Sequence, residues 1–248
     1  MAIEVFNRIE KKYLLPEDIY GKFYEEIKPY MELDKYCNGG KCYSIYNLYY
    51  DTETDELIRR SMDKPVYKEK LRLRSYRIPQ DDDRIFLEIK KKYKGIVNKR
   101  RTKLTLRQAY DFVNNGVMPS EGDYINTQVV RELDYFIKLY KPKPKVFLAY
   151  DRVALFGKED SNLRITFDRN LRTRREKPEI ENGDYGEQLL PQKKVLMEIK
   201  TATSFPLWLT ELLNRYEIRH TSFSKYGTEY SNFITNFTAK ENNIKEWR

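Results

Sequence analysis

Val66-Tyr67-Lys68-Glu69-Lys70-Leu71-Arg72-Leu73-Arg74 repeats its chemistry every second residue. Successive side chains of a strand point to opposite faces. Lys68, Lys70, Arg72 and Arg74 therefore share one face, and Tyr67, Leu71 and Leu73 share the other. The same alternation returns downstream, where Glu88, Lys90 and Lys92 oppose Ile85, Leu87 and Ile89. Arg8, Glu10 and Lys12 align near the start, and Glu198 and Lys200 oppose Val195, Met197 and Ile199 near the end. Tyr150 with Arg152, and Arg164 with Asp168, extend the set. Cations two residues apart on a strand lie about 7 Å from each other and repel by roughly 2 kcal/mol at an effective dielectric near 20. A solvated face would mix signs and use Ser, Thr and Gln freely, and this one hardly does. The pattern predicts a binding face for a multiply charged anion. Isolated glutamates among the cations fit phosphate plus a hard divalent metal, since Arg and Lys neutralise phosphoryl oxygens while carboxylates hold the ion.

The rest of the chain narrows the setting. It has 248 residues, with 47 Lys+Arg against 38 Asp+Glu, for a net charge of +9. Hydrophobic residues make up 40% and aromatics 14%, which excludes a disordered chain. No apolar run reaches the ~20 residues of a membrane helix. The opening segment does not read as a secretory signal. A cytoplasmic protein forming one domain over residues 1–248, with its core at about 4–234, is expected. Cys37 and Cys42 flank an Asn38-Gly39-Gly40 turn, with no second pair or His to complete a zinc site. His220, the only histidine, reads as a loop or helix-end residue.

Strands are expected at 4–14, 43–50, 65–77, 84–93, 95–104, 145–156, 162–168 and 193–201. Helices are expected from Pro16 to about Leu33, from the Asp51-Thr52-Glu53 cap to about Arg60, and at 105–114, 126–140, 206–216 and 225–237. The polar stretch 177–185 reads as a mobile loop. Strands joined by tight turns, at Gln80–Asp83 and Gly95, imply antiparallel pairing and an α+β class. Tyr43, Tyr46, Tyr49 and Tyr50 read as packing residues. The run Asn98-Lys99-Arg100-Arg101 stays undecided, with Arg100 as a further candidate.

Arg8-Ile9-Glu10-Lys11-Lys12-Tyr13, Lys70–Arg74, Leu87–Lys90, Tyr150-Asp151-Arg152, Arg164–Asp168, Met197–Lys200 and Phe223-Ser224-Lys225-Tyr226 occur in that order. This closely resembles the VTC domain of the vacuolar transporter chaperone polyphosphate polymerases, among the triphosphate tunnel metalloenzymes related to CYTH proteins. The resemblance spans about residues 4–234. It implies an antiparallel β-tunnel with helices packed outside, ATP inside, and transfer of the γ-phosphate to a growing polyphosphate chain. Arg72, Arg74, Arg152, Arg164 and Lys200 would be the catalytic phosphate-gripping cations. Lys12, Lys70, Lys90, Tyr150, Lys225 and Arg8 would assist in binding substrate. Glu198 would hold Mn²⁺ (or Mg²⁺), with Glu10 and Glu88 as further acidic candidates. The implied partners are ATP, inorganic polyphosphate, and pyrophosphate or triphosphate, with a membrane partner protein conceivable and no nucleic acid. The chain shows no recognisable SPX sensor or membrane anchor. CYTH-type triphosphatases open with Glu-x-Glu-x-Lys, and Arg8 takes the first Glu position here.

Three other readings share these residues. An inorganic or nucleoside triphosphatase would release orthophosphate from a short substrate, and it typically carries more acids for metals and water. A nucleic-acid-binding sheet would want aromatics on the charged face, where only Tyr76 and Tyr150 are evident. A silent polyphosphate or inositol-phosphate receptor would bind without turnover.

Overall fold

A computed structural model describes residues 9–37, 42–94, 96–120, 122–191 and 193–245, with side chains described to residue 237. Arg8, the turn at 38–41 and Gly95 lie outside the described residues. Among those described, the elements run β1 (Ile9–Pro16), α1 (Glu17–Ile27), β2 (Met31–Leu33), β3 (Tyr43–Asp51), α2 (Glu56–Met62), β4 (Tyr67–Ser75), β5 (Arg84–Tyr93) and β6 (Ile96–Thr105). They continue through α3 (Leu106–Asn115), α4 (Thr127–Tyr140), β7 (Lys143–Gly157), β8 (Arg164–Arg174), β9 (Glu187–Gln188), β10 (Lys194–Thr201), α5 (Leu207–Arg215), β11 (His220–Thr221) and α6 (Lys225–Lys245).

One antiparallel sheet holds every strand among the described residues, in the order β11-β1-β10-β8-β7-β3-β4-β5-β6, with β2 on β7 and β9 on β8. Its two ends are not joined by a ladder. The sheet curls instead, so that β1 and β5, far apart in the strand order, bring Glu10 and Lys90 within electrostatic reach of each other. The apolar face of β4–β6 is covered by α3 and α4, burying Leu71, Leu73, Leu87, Ile89, Phe112, Leu133 and Phe136. The apolar face of β1, β8 and β10 is covered by α1 and α5, burying Tyr13, Phe23, Ile165, Met197, Ile199 and Leu209. Fully burying each such side chain contributes about 1.5–3 kcal/mol, which holds the charged face concave. The architecture is an α+β antiparallel tunnel.

Two helices depart from the outer layer. Ile58 of α2 and Tyr226 and Tyr230 of α6 pack on Ile45, Tyr49, Val146, Leu148 and Leu196, which belong to the concave face. Asp51 anchors this packing. Its carboxylate accepts from the amides of Leu57 and Ile58, at 2.8 and 2.9 Å, and from the Tyr226 hydroxyl at 3.2 Å.

Three expectations are corrected. The helix expected to reach Leu33 ends at Ile27, because Pro29 offers no amide to continue it, and Met31–Leu33 instead pairs with β7. The strand expected to stop at Asp168 runs to Arg174. Asn170 sits in the left-handed region opposite a register shift at Ala149/Asp151, so a bulge disguises the continuity. The stretch 177–185 is tied down: the Arg174 guanidinium donates to the carbonyls of Lys177, Glu179, Gly183 and Tyr185, and Ile180 is fully buried.

Candidate active site

The register places the charged positions side by side. Arg72 lies opposite Glu88 and Lys70 opposite Lys90, while on the far side of β5 Glu88 meets Arg101 and Lys90 meets Lys99. Arg152 pairs with Asp168, and Arg164 with Lys200. Glu198 pairs with Lys12, and Lys200 with Glu10. One concave surface thus gathers side chains from β1, β4, β5, β6, β7, β8 and β10, and Lys225 joins them from the first turn of α6.

Two carboxylate arrangements divide this surface. Glu88 has no exposed surface. Arg72 reaches it at 2.8 Å, Lys99 at 3.5 Å, and Arg74 and Arg101 at 3.9 Å each. Burial opposes its ionisation, but Arg72, Arg74 and Lys99 outweigh that and hold the carboxyl far below the usual range. Glu198 and Glu10 instead share Lys200, at 2.6 and 3.6 Å, and Lys12 lies 3.4 Å from Glu10. Burial and mutual repulsion oppose the charge on Glu10, and Lys90, Lys200 and Lys12 overcome both. Glu198 is held well below its ordinary value against burial by Lys200, Lys12, Lys225 and Arg152.

Between these arrangements, Asp168 is fully buried. It accepts from Arg152 Nε and Nη2, at 2.6 and 2.8 Å, and from Lys225 Nζ at 2.6 Å. Tyr150 lies across the middle, accepting from Arg74 Nη2 at 3.3 Å, with the Lys225 ammonium 4.3 Å from its ring centroid. Burial would raise its phenol, but Arg74, Arg152 and Lys225 together bring it down to about 8. Lys70 is lowered to about 8 by burial and by Lys68, Lys90 and Lys12 around it. Burial lowers Lys99 to about 8 as well, with Arg101, Arg74 and Arg72 adding to it against Glu88. Burial and crowding by like charge thus act together on both lysines.

Arg164 Nε and Thr166 Oγ1 are buried without a hydrogen-bond partner, although the Arg164 guanidinium also reaches Asp34 at 3.5 Å. These two residues stand beside Lys200 and Glu198 in the register. Buried polar atoms of this kind need a partner, and a phosphoryl oxygen would satisfy both. A pair of carboxylates, Glu10 and Glu198, is a fitting donor set for a hard divalent ion whose remaining ligands are phosphate oxygens and water. No group of three or more His, Cys, Asp or Glu that could hold a metal occurs among the described residues.

The structure therefore brings together Lys12, Lys70, Arg72, Arg74, Glu88, Lys90, Tyr150, Arg152, Arg164, Glu198, Lys200, Lys225 and Glu10. It leaves out Lys68, which donates to the Ser61 carbonyl at 3.0 Å. It also leaves out Arg100, which turns to the outer face and meets Glu132 of α4 at 3.1 Å. The neighbours Lys99 and Arg101 take the inner positions. Their alternation was the available signal, hidden because Arg100 interrupts it with a third cation. Tyr49, expected only to pack, accepts from Arg72 Nη1 at 3.1 Å. Asp168 was visible in the alternation without a role.

Residues 7–234 match the family model of the VTC domain. The chain belongs to the VTC domain family. Among solved structures, a Bacillus halodurans protein described as a "putative adenylate cyclase" is 14% identical, with a TM-score of 0.53 over 88% of this chain and 93% of that one. A Vibrio parahaemolyticus protein of the same description is 12% identical, with a TM-score of 0.47 over 90% and 97%. The PH1819 protein from Pyrococcus horikoshii is 11% identical, with a TM-score of 0.45 over 91% and 99%. The first of these shares the VTC chain's fold. No curated protein matches the chain at a significant level. No helix among the described residues of the VTC chain is long and apolar enough to cross a membrane.

Proposed function

We propose that this VTC domain is a polyphosphate polymerase, transferring the γ-phosphate of ATP to the end of a growing inorganic polyphosphate chain. The observation that carries this reading is the concave surface itself, where cations from seven strands and α6 outnumber the acids and crowd one another. Arg72, Arg74, Arg152 and Lys225 grip the phosphoryl oxygens around Tyr150, and Arg164 and Lys200 stand side by side next to Glu198. Lys12, Lys70, Lys90, Lys99 and Arg101 continue the positive path and retain a long polyanion.

A terminal oxygen of the acceptor chain attacks the γ-phosphorus, the bond to the β-phosphate bridging oxygen breaks, and ADP leaves. No side-chain nucleophile is required, since positioning and charge neutralisation supply most of the rate. Mn²⁺ or Mg²⁺ held by Glu198 and Glu10 would add charge neutralisation on the same oxygens. Arg152 is kept in place by Asp168, and Arg72 by Glu88 and Tyr49.

Purified protein incubated with ATP, Mn²⁺ and a pyrophosphate primer should yield chains that form a ladder on a gel. Release of orthophosphate with no chain growth would overturn the polymerase and leave a triphosphatase.

A further inference from the structure

One mouth of the tunnel carries a feature that phosphate binding does not use. Tyr43 is the register partner of Arg152, and Phe86 is the register partner of Arg74. Tyr76 follows β4 two residues after Arg74. These aromatics touch one another: Tyr43 and Tyr76 have centroids 6.1 Å apart, and Tyr76 meets Phe86 edge-on at 6.1 Å. Arg101 covers the Phe86 ring at 4.4 Å, and Lys103 lies 5.9 Å from it. The ring left open is Tyr76, which is 47% exposed.

An exposed aromatic shelf beside a cation cluster holds a planar group attached to an anion. Residues two apart on a strand are separated by about 7 Å, comparable with the reach of a nucleoside from its base to its 5′ phosphate. We infer that Tyr76, backed by Tyr43 and Phe86, is the seat of the nucleobase of the nucleoside triphosphate donor. Arg74 then takes its first phosphates, and the rest of the triphosphate runs on toward Tyr150 and Arg72. Stacking on a π face is tolerant of base identity, so the seat accepts adenine and guanine alike. It distinguishes a nucleotide donor from a bare polyphosphate, which passes the shelf without touching it. This inference rests on the phosphate reading of the tunnel.

The test compares non-hydrolysable ATP and GTP analogues with inorganic tripolyphosphate, titrated calorimetrically into the full chain. Tyr76→Ala should weaken both nucleotides about tenfold, in the range measured for removing an aromatic under a base, and change tripolyphosphate less than twofold. Tyr76→Phe should bind like the original. Tyr76→Leu keeps apolar bulk at this strand end, so if Tyr76→Ala lowers the melting temperature, Tyr76→Leu must still show the nucleotide-only loss. Unchanged nucleotide binding, or equal losses for nucleotide and tripolyphosphate, would overturn the base seat while leaving the phosphate tunnel standing. Failure of the original protein to bind either ligand would overturn both.

Discussion

Leu87-Glu88-Ile89-Lys90 and Met197-Glu198-Ile199-Lys200 are nearly the same tetrapeptide, and both send a glutamate and a lysine into the same cavity. Their surroundings make them different devices. Glu88 has β4 on one side and β6 on the other, which bring Arg72 and Arg101 directly opposite it, so its charge is spent on organising guanidinium groups. Glu198 has Lys12 on one side and Thr166 on the other, and its close ion pair is with the lysine two residues along its own strand. One carboxylate is walled in by four fixed cations, its Oε1 without a hydrogen bond, and the other shares its lysine with Glu10. Cross-strand neighbours, more than local sequence, decide what a tunnel carboxylate does.

The sharpest way to break this contrast is to neutralise each glutamate in turn. Glu198→Gln should cut ATP-dependent chain synthesis by about 10²–10³-fold, the scale of losing several kcal/mol of metal-assisted charge stabilisation, with tripolyphosphate affinity kept. If Glu88→Gln, while still folded, produced the same signature of lost turnover with intact binding, the distinction would collapse. For Glu88→Gln the expected outcome is thermodynamic. Removing one partner of a buried ion cluster leaves uncompensated charge, and urea unfolding should show a loss of about 3 kcal/mol. Added tripolyphosphate should restore part of it, because an anion replaces the missing one.

A pH series sharpens the same contrast, because Lys70, Lys99 and Tyr150 all sit near 8. Below that value the folded and unfolded chains bind these protons equally. Above it the folded chain has released them while the unfolded chain still holds them, so the stability of the ligand-free protein rises between about pH 8 and pH 10. Tripolyphosphate affinity should move the opposite way, falling about tenfold from pH 7 to pH 9 as two lysines lose charge and a phenolate forms. A flat affinity profile would mean that these groups do not face the anion. The smallest effect is expected at Arg100→Ala, outside the tunnel: about 1 kcal/mol of stability or less, from its pairing with Glu132, and unchanged synthesis.

Much of this was legible before any coordinates. Period-two alternation in Lys68–Arg74, Ile85–Lys92 and Val195–Lys200 sets which side chains share a face, because the pleat allows no other arrangement. Register was not legible. Alternation in the stretch 98–101 separates Lys99 and Arg101 from Arg100, but which of the two faces meets Glu88 depends on how β6 pairs with β5. Asp168 was seen as a charged position, but its hold on Arg152 and Lys225 joins residues 16 and 57 apart in the chain. The concave packing of α6 was hidden for the same reason. Its Tyr226 and Tyr230 look like any amphipathic helix face until Tyr49 is found stacked on Tyr226 at 4.9 Å.

Lys225 opens the last helix, and Lys12 belongs to the first strand, where it donates to the Phe223 carbonyl at 3.1 Å. Residues 211 apart in the sequence therefore meet at the site. On the ribosome, a nascent chain that has emerged only as far as β10 has Glu10, Glu88 and Glu198 in hand but not the ammonium that bridges Asp168 to Tyr150. Such loops of high contact order close late. Competence to hold a polyanion should thus arrive abruptly with α6, and products that stop before Lys225 should not bind tripolyphosphate.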